Sequence, residues 1–170
     1  MPILIKIILI VAFFSLPFLV YWLYFQAIEK RVQRIIGDNW GPSSIMFKDL
    51  RVWFKNFDFL KRKNKFETDP FHTLYSFNDC DIILNKDHFW VIGKTRLIGI
   101  SRNLMPTKFS FNQSTSKQKY RQVTVEKVIE AGKDLEIEFK DDSYTNPMIL
   151  VIKRADSKLI AGIQKHFKND

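Results

Sequence analysis

The chain has 170 residues, 46% of them hydrophobic, a net charge of +9 and one cysteine. That length leaves a single soluble domain of ordinary size once an apolar N-terminal stretch is set aside. One cysteine excludes the disulfide framework of a small secreted scaffold, and the acidic run Asp79-Cys80-Asp81 argues for a buried core thiol over a reactive one.

The positive charge is unevenly placed. Met1–Ile28 carries only Lys6; Glu29–Lys65 holds ten Lys/Arg against four Asp/Glu; from Phe66 onward the balance is sixteen against fourteen. A basic block beside an apolar one points to anionic lipid at a bilayer surface. A nucleic-acid-binding domain would carry the charge on the domain itself.

Ile3–Phe25, ILIKIILIVAFFSLPFLVYWLYF, is 23 residues with one charge and one serine. At ~1.5 Å per residue it spans about 34 Å, enough for a ~30 Å hydrocarbon core. Lys6 lies close enough to the end to snorkel, and a membrane helix tolerates Pro17. Tyr21, Trp22 and Tyr24 gather at the C-terminal end as candidate interfacial aromatics. The competing reading is a cleaved signal peptide, but the run is long and ends in bulky aromatics without a small-residue cleavage pattern. A buried core helix fits poorly, since apolar residues cover every face.

The flanking charge orients the span. Lys6 and the amino terminus stand on one side, and Lys30, Arg31, Arg34, Lys48, Arg51 and Lys55 on the other. The more positive side stays inside, so the N-terminus is expected outside the cell membrane and the domain in the cytoplasm.

Gln26–Ile36 continues the helix on a stripe of Ile28, Val32, Ile35 and Ile36, with Gly37 as its stop. The expected organisation is therefore a membrane helix with a cytosolic extension over 1–36, a basic, aromatic juxtamembrane segment over 37–66, and a β domain over 67–170. In the middle segment Met46, Leu50, Trp53, Phe57 and Leu60 recur at helical spacing, flanked by Lys48, Arg51, Lys55 and Lys61-Arg62-Lys63. Such a helix either lies in the headgroup layer or covers the domain, and a strand within Arg51–Leu60 is a further option.

From Phe66 the texture becomes short strands. His72–Phe77 is a weak candidate. Asp81–Asn85 and His88–Ile92 flank Lys86-Asp87 as a hairpin. Leu97–Ile100 and Thr107–Phe111 follow, and Gln113–Lys119 reads as an exposed loop. Val123 and Val125 alternate, then the pattern shifts to Val128-Ile129. Ala131–Asp134 is a turn. Leu135, Ile137 and Phe139 alternate strictly, Asp141–Pro147 is a turn-rich loop, and Met148–Ile152 is wholly apolar. Asp156 or Ser157 caps a last helix with Leu159, Ile160, Ile163 and Phe167 on one face.

Over roughly Phe71–Phe167, and most closely over VTVEKVIEAGKDLEIEFKDD, MILVIKR and SKLIAGIQKHF, the chain resembles small bacterial membrane-anchored proteins with a pleckstrin-homology-like (PH-like) domain. The resemblance implies an α+β chain: one transmembrane helix, then a strongly bent antiparallel β-barrel capped by the C-terminal helix. Asn85-Lys86-Asp87-His88, the counterpart of the family's lipid-binding loop, is short and has one basic residue, so specific inositol-lipid binding is not implied.

No chemistry-bearing motif accompanies this pattern. The six glycines form no phosphate loop, and one cysteine with His72, His88 and His166 makes no zinc motif. Glu136 and Glu138 read as the wet face of a strand. No cofactor, metal or nucleic acid is expected. Two functions remain: a non-enzymatic adaptor binding a membrane-protein partner, or a lipid-surface sensor. The sensor would use Lys30, Arg31, Arg34, Lys48, Arg51, Lys55, Lys61, Arg62 and Lys63 on headgroups, with Tyr21, Trp22, Tyr24 and Trp53 at the interface.

Overall fold

The computed structural model describes residues 3–39, 43–55, 75, 77–97, 100–111, 121–142 and 144–167. The expected strand at His72–Phe77, the loop Gln113–Lys119, and Phe57, Leu60, Lys61, Arg62 and Lys63 lie wholly or mostly outside these residues. Helix α1, Ile3–Asn39, precedes β1 (Ile45–Lys55), β2 (Asp79–Leu84), β3 (His88–Leu97) and β4 (Ile100–Asn103). Then come β5 (Thr107–Ser110), β6 (Arg121–Ala131), β7 (Asp134–Lys140), β8 (Met148–Ile152) and helix α2 (Ser157–Phe167). Seven strands close into a barrel in the order β2-β1-β8-β7-β6-β5-β3 and back to β2, while β4 branches from the far end of β3. The class is α+β.

Closure depends on strands that change partner midway. The first half of β1 pairs with β2, down to Arg51↔Asp79; from Val52 the same strand pairs with β8. β3 pairs with β5 over His88–Val91 and with β4 over Lys94–Leu97. Gly93 stands at that second switch, where any Cβ would lie 2.4 Å from the Phe77 ring, so only glycine lets the ring seat there. All ladders are antiparallel except β5 with β6.

Most of the sequence reading reappears. Asn85 N–H donates to His88 C=O at 3.0 Å, closing the expected β2–β3 hairpin. The shift from Val125 to Val128 is a β-bulge: the register slips between Val125 and Lys127 against β7. Gly132, at φ +68°, makes the β6–β7 turn. Asp156 caps α2 by accepting the Lys158 N–H at 2.7 Å. Leu159 and Ile163 of α2 are fully buried in the main core with Leu84, Leu135, Ile137 and Phe139.

Three expectations fail. Helix α1 runs on through the expected stop at Gly37 to Asn39. Ile45–Lys55 is a barrel strand, not a helix. Its register slips between Phe47 and Leu50, where Asp49 takes φ +54°, so the regular spacing of Met46, Leu50 and Trp53 does not mark one face. Met46 joins a second cluster under α1, Leu50 lies against the barrel core, and Trp53 is exposed. Leu97 and Ile100 are not one strand either: they pair with each other across the β3–β4 reversal.

Candidate functional site

Helix α1 has two unlike halves. On the first, Phe13 is 75% exposed and Phe18 71%, and Ile10, Val11, Phe14, Leu16, Leu19 and Val20 are exposed as well. These positions cover the whole helix circumference, and nothing among the described residues shields them. This is the one helix among the described residues long and apolar enough to cross a membrane. From Tyr21 the helix acquires a buried side. Phe25 enters the main core, and Ile28, Val32 and Ile35 form a second cluster with Ile83, Trp90 and Ile92 of β2 and β3. Those strand residues point out of the barrel, opposite Ile82, Phe89 and Val91. The middle of β2 and β3 is thus buried on both faces, which is why it reads as continuous apolar runs instead of alternation.

Polar contacts fix the alignment of α1. Asn103 Nδ2 donates to Glu29 Oε1 at 3.1 Å, and Arg31 Nη1 approaches Met105 Sδ at 3.6 Å. The helix therefore runs parallel to β4 and antiparallel to β3. Its bare, N-terminal end points toward the β3–β4 hairpin, and its other end toward the start of β1.

Beside this seam lies an open polar pocket of about 250 Å³ lined by Asp49, Arg51, Asp79, Lys94, Arg96 and Ser101. The ladder builds it: Arg51↔Asp79↔Lys94 lie side by side on β1, β2 and β3, and Arg96↔Ser101 continue the wall onto β4. Lys94 Nζ sits 2.8 Å from Asp49 Oδ1 and 2.6 Å from Asp81 Oδ1. Asp81, buried, also accepts the Asp49 N–H at 2.9 Å, which pins the bulge. Burial works against the Lys94 charge, but its two carboxylate partners prevail and hold the ammonium above its ordinary range. The hydrogen bond from Lys94 likewise holds the Asp49 carboxyl low. Arg51 and Arg96 make no ion pair among the described residues, so the pocket offers two guanidinium forks beside the Asp79 carboxylate. That set can bind a partner group carrying both signs of charge.

The expected headgroup residues do not converge. Lys30, Arg31 and Arg34 are exposed on α1, away from its buried stripe. Lys48 is exposed on β1, and only Arg51 enters the pocket. Lys55 pairs with Glu136 at 2.6 Å. Lys61, Arg62 and Lys63 are outside the described residues. Of the aromatics, Trp22 is exposed, while Tyr21 and Tyr24 turn half-buried against the barrel, their rings 4.5 Å and 5.4 Å from that of Phe25. Trp53 is 45% exposed between Lys55 Nζ at 5.6 Å and Lys153 Nζ at 5.1 Å. Asp49, Asp79, Lys94, Arg96 and Ser101 escaped the sequence reading, because register alone assembles them.

Two further polar groups are structural. Tyr75 Oη donates to Asp141 Oδ2 at 2.6 Å, and Arg121 Nε donates to the same oxygen at 2.9 Å with its guanidinium against the Tyr75 ring. Burial, and then the Asp141 charge, keep the Tyr75 hydroxyl protonated. Cys80 is fully buried, and burial raises its thiol far above the ordinary range. No metal-binding group of His, Cys, Asp and Glu occurs among the described residues.

Comparison with protein-family models, with curated proteins and with solved structures gives no match to this chain. What the fold and the site define is a class by architecture: a closed seven-stranded barrel clamped to the lower half of a bare apolar helix.

Proposed function

We propose that the chain is a single-pass protein of the cell membrane, with its N-terminus outside. Its PH-like barrel serves as a non-enzymatic adaptor that holds a membrane-protein partner at the cytoplasmic face. The observation that carries this reading is the continuity of α1: one helix presents a bare apolar half and, without interruption, a half sealed onto the barrel. A barrel mounted this way has no free linker, so its faces keep a fixed height and direction above the bilayer. The PH-like reading draws on strand order, closure by one parallel pair and the helix seated in the barrel core. The cytoplasmic side follows from the basic flank Lys30, Arg31 and Arg34. The mixed-charge pocket suits a polypeptide partner better than a single anionic group, since Asp79 opposes an isolated phosphate.

A photo-crosslinking residue at Ser101 of the full chain in cells tests this, with Lys86 at the opposite end of β3 as reference. One membrane protein enriched at Ser101 over Lys86 is expected. The same set of random neighbours at both positions contradicts the adaptor.

The lipid-surface sensor is favoured by one feature, Trp53 exposed between two ammonium groups. In bilayers it requires a Trp53 emission that responds to anionic lipid and reverts with salt. Identical emission in neutral and anionic bilayers counts against it.

A further inference from the structure

The β3–β4 hairpin has no counterpart in the closed barrel. Among the described residues β4 pairs only with β3, and it lies against α1. Across its reversal the sequence is Arg96-Leu97-Ile98-Gly99-Ile100-Ser101-Arg102, five uncharged residues between an arginine on either side. Ile100 is 55% exposed, although it belongs to a paired strand. Neither Arg96 nor Arg102 makes an ion pair among the described residues.

The alignment of α1 sets the height of this hairpin. Glu29 meets Asn103 at the root of β4. From Glu29 to Trp22 the helix climbs about 10 Å at ~1.5 Å per residue. From Asn103 to Ile100 the strand covers about 10 Å at ~3.3 Å per residue, in the same direction. Ile100 therefore reaches the level of Trp22, where α1 loses its cover and its bare half begins.

We propose that the β3–β4 hairpin is a second membrane contact, in which Ile100 enters the headgroup layer of the leaflet from which α1 emerges and Arg96 and Arg102 meet lipid phosphates. This rests on the reading of α1 as a span. An exposed branched aliphatic side chain with flanking guanidinium groups suits that layer: the apolar group leaves water while the long cationic chains stay with the phosphates. With the helix at one point and the hairpin at another, the barrel would be held against rocking, and the pocket beside Ser101 would open at the bilayer surface.

The test uses the full chain in vesicles of phosphatidylcholine and phosphatidylglycerol, with an environment-sensitive fluorophore on Ile100→Cys, Phe13→Cys or Lys86→Cys. All three positions are exposed, and the native Cys80 thiol is buried and resists labelling. The Phe13 label is expected to be quenched by quenchers deep in the acyl chains, and the Lys86 label only by aqueous ones. The Ile100 label is expected to shift to the blue and to be quenched severalfold more by shallow lipid-borne quenchers than the Lys86 label. A deep Phe13 label with an Ile100 label as aqueous as Lys86 overturns the hairpin contact and leaves the span standing. An aqueous Phe13 label overturns the span and the hairpin contact together.

Discussion

The two halves of α1 have similar lengths, yet their surroundings differ completely. Around Phe13 and Phe18 the described residues supply no cover; around Ile28, Val32 and Ile35 they supply the outer face of β2 and β3. The difference lies in where the charges fall. The first half has Lys6 as its sole charge, so every face is apolar, the composition of a helix that could meet lipid all round. The second half carries Glu29, Lys30, Arg31 and Arg34 on the sides facing away from its isoleucine stripe, so one face needs a protein partner and the rest prefers water.

Placing a charge in the docked half is the strongest way to break this contrast. Ile35→Asp puts a carboxylate at a fully buried position and is expected to cost about 4 kcal/mol or more. Denaturant unfolding of the barrel in detergent reads this, and Phe13→Ala in the same detergent should stay within about 0.5 kcal/mol of the parent. Equal effects at the two positions would erase the distinction.

Next in size is the strand side of the seam. Lys94→Ala leaves the buried Asp81 carboxylate without its counter-charge, for an expected loss of about 3 kcal/mol. Lys55→Ala, which removes a half-exposed partner of Glu136, should cost below about 1 kcal/mol.

A smaller effect comes from pH. Burial holds the His88 imidazole below its ordinary range, in spite of Asp87 Oδ1 at 2.8 Å from Nδ1. The unfolded chain therefore binds this proton at a higher pH than the folded one. Stability attributable to His88 is complete above the ordinary value near 6.5 and declines as pH falls through it toward the folded value. Unfolding midpoints should drop on acidification in the parent and drop less in His88→Gln.

Much of the barrel was legible because alternation survives wherever one face is wet. Leu135, Ile137 and Phe139 against Glu136 and Glu138 is such a strand, and the broken alternation at Val128 recorded the bulge itself. β1 was misread for a physical reason: the bulge at Asp49 resets which face each residue occupies, and the mixed spacing that results imitates a helical period. The seam was half legible. The isoleucine stripe on α1 and the unbroken runs Ile82-Ile83-Leu84 and Phe89-Trp90-Val91-Ile92 are two sides of one interface, and reading them together would have docked the helix on the sheet. The pocket was not legible, because Arg51, Asp79 and Lys94 are neighbours only through strand register.

The central claim is that α1 is at once a span and a strut. A spin-label accessibility scan along residues 10–36 in a lipid bilayer tests it most directly. The account predicts lipid exposure at every position from 10 to 20. From 21 to 36 it predicts a helical period, with 25, 28, 32 and 35 shielded and 30 and 34 in water. Water access throughout 10–20, or uniform access from 21 to 36, would contradict it.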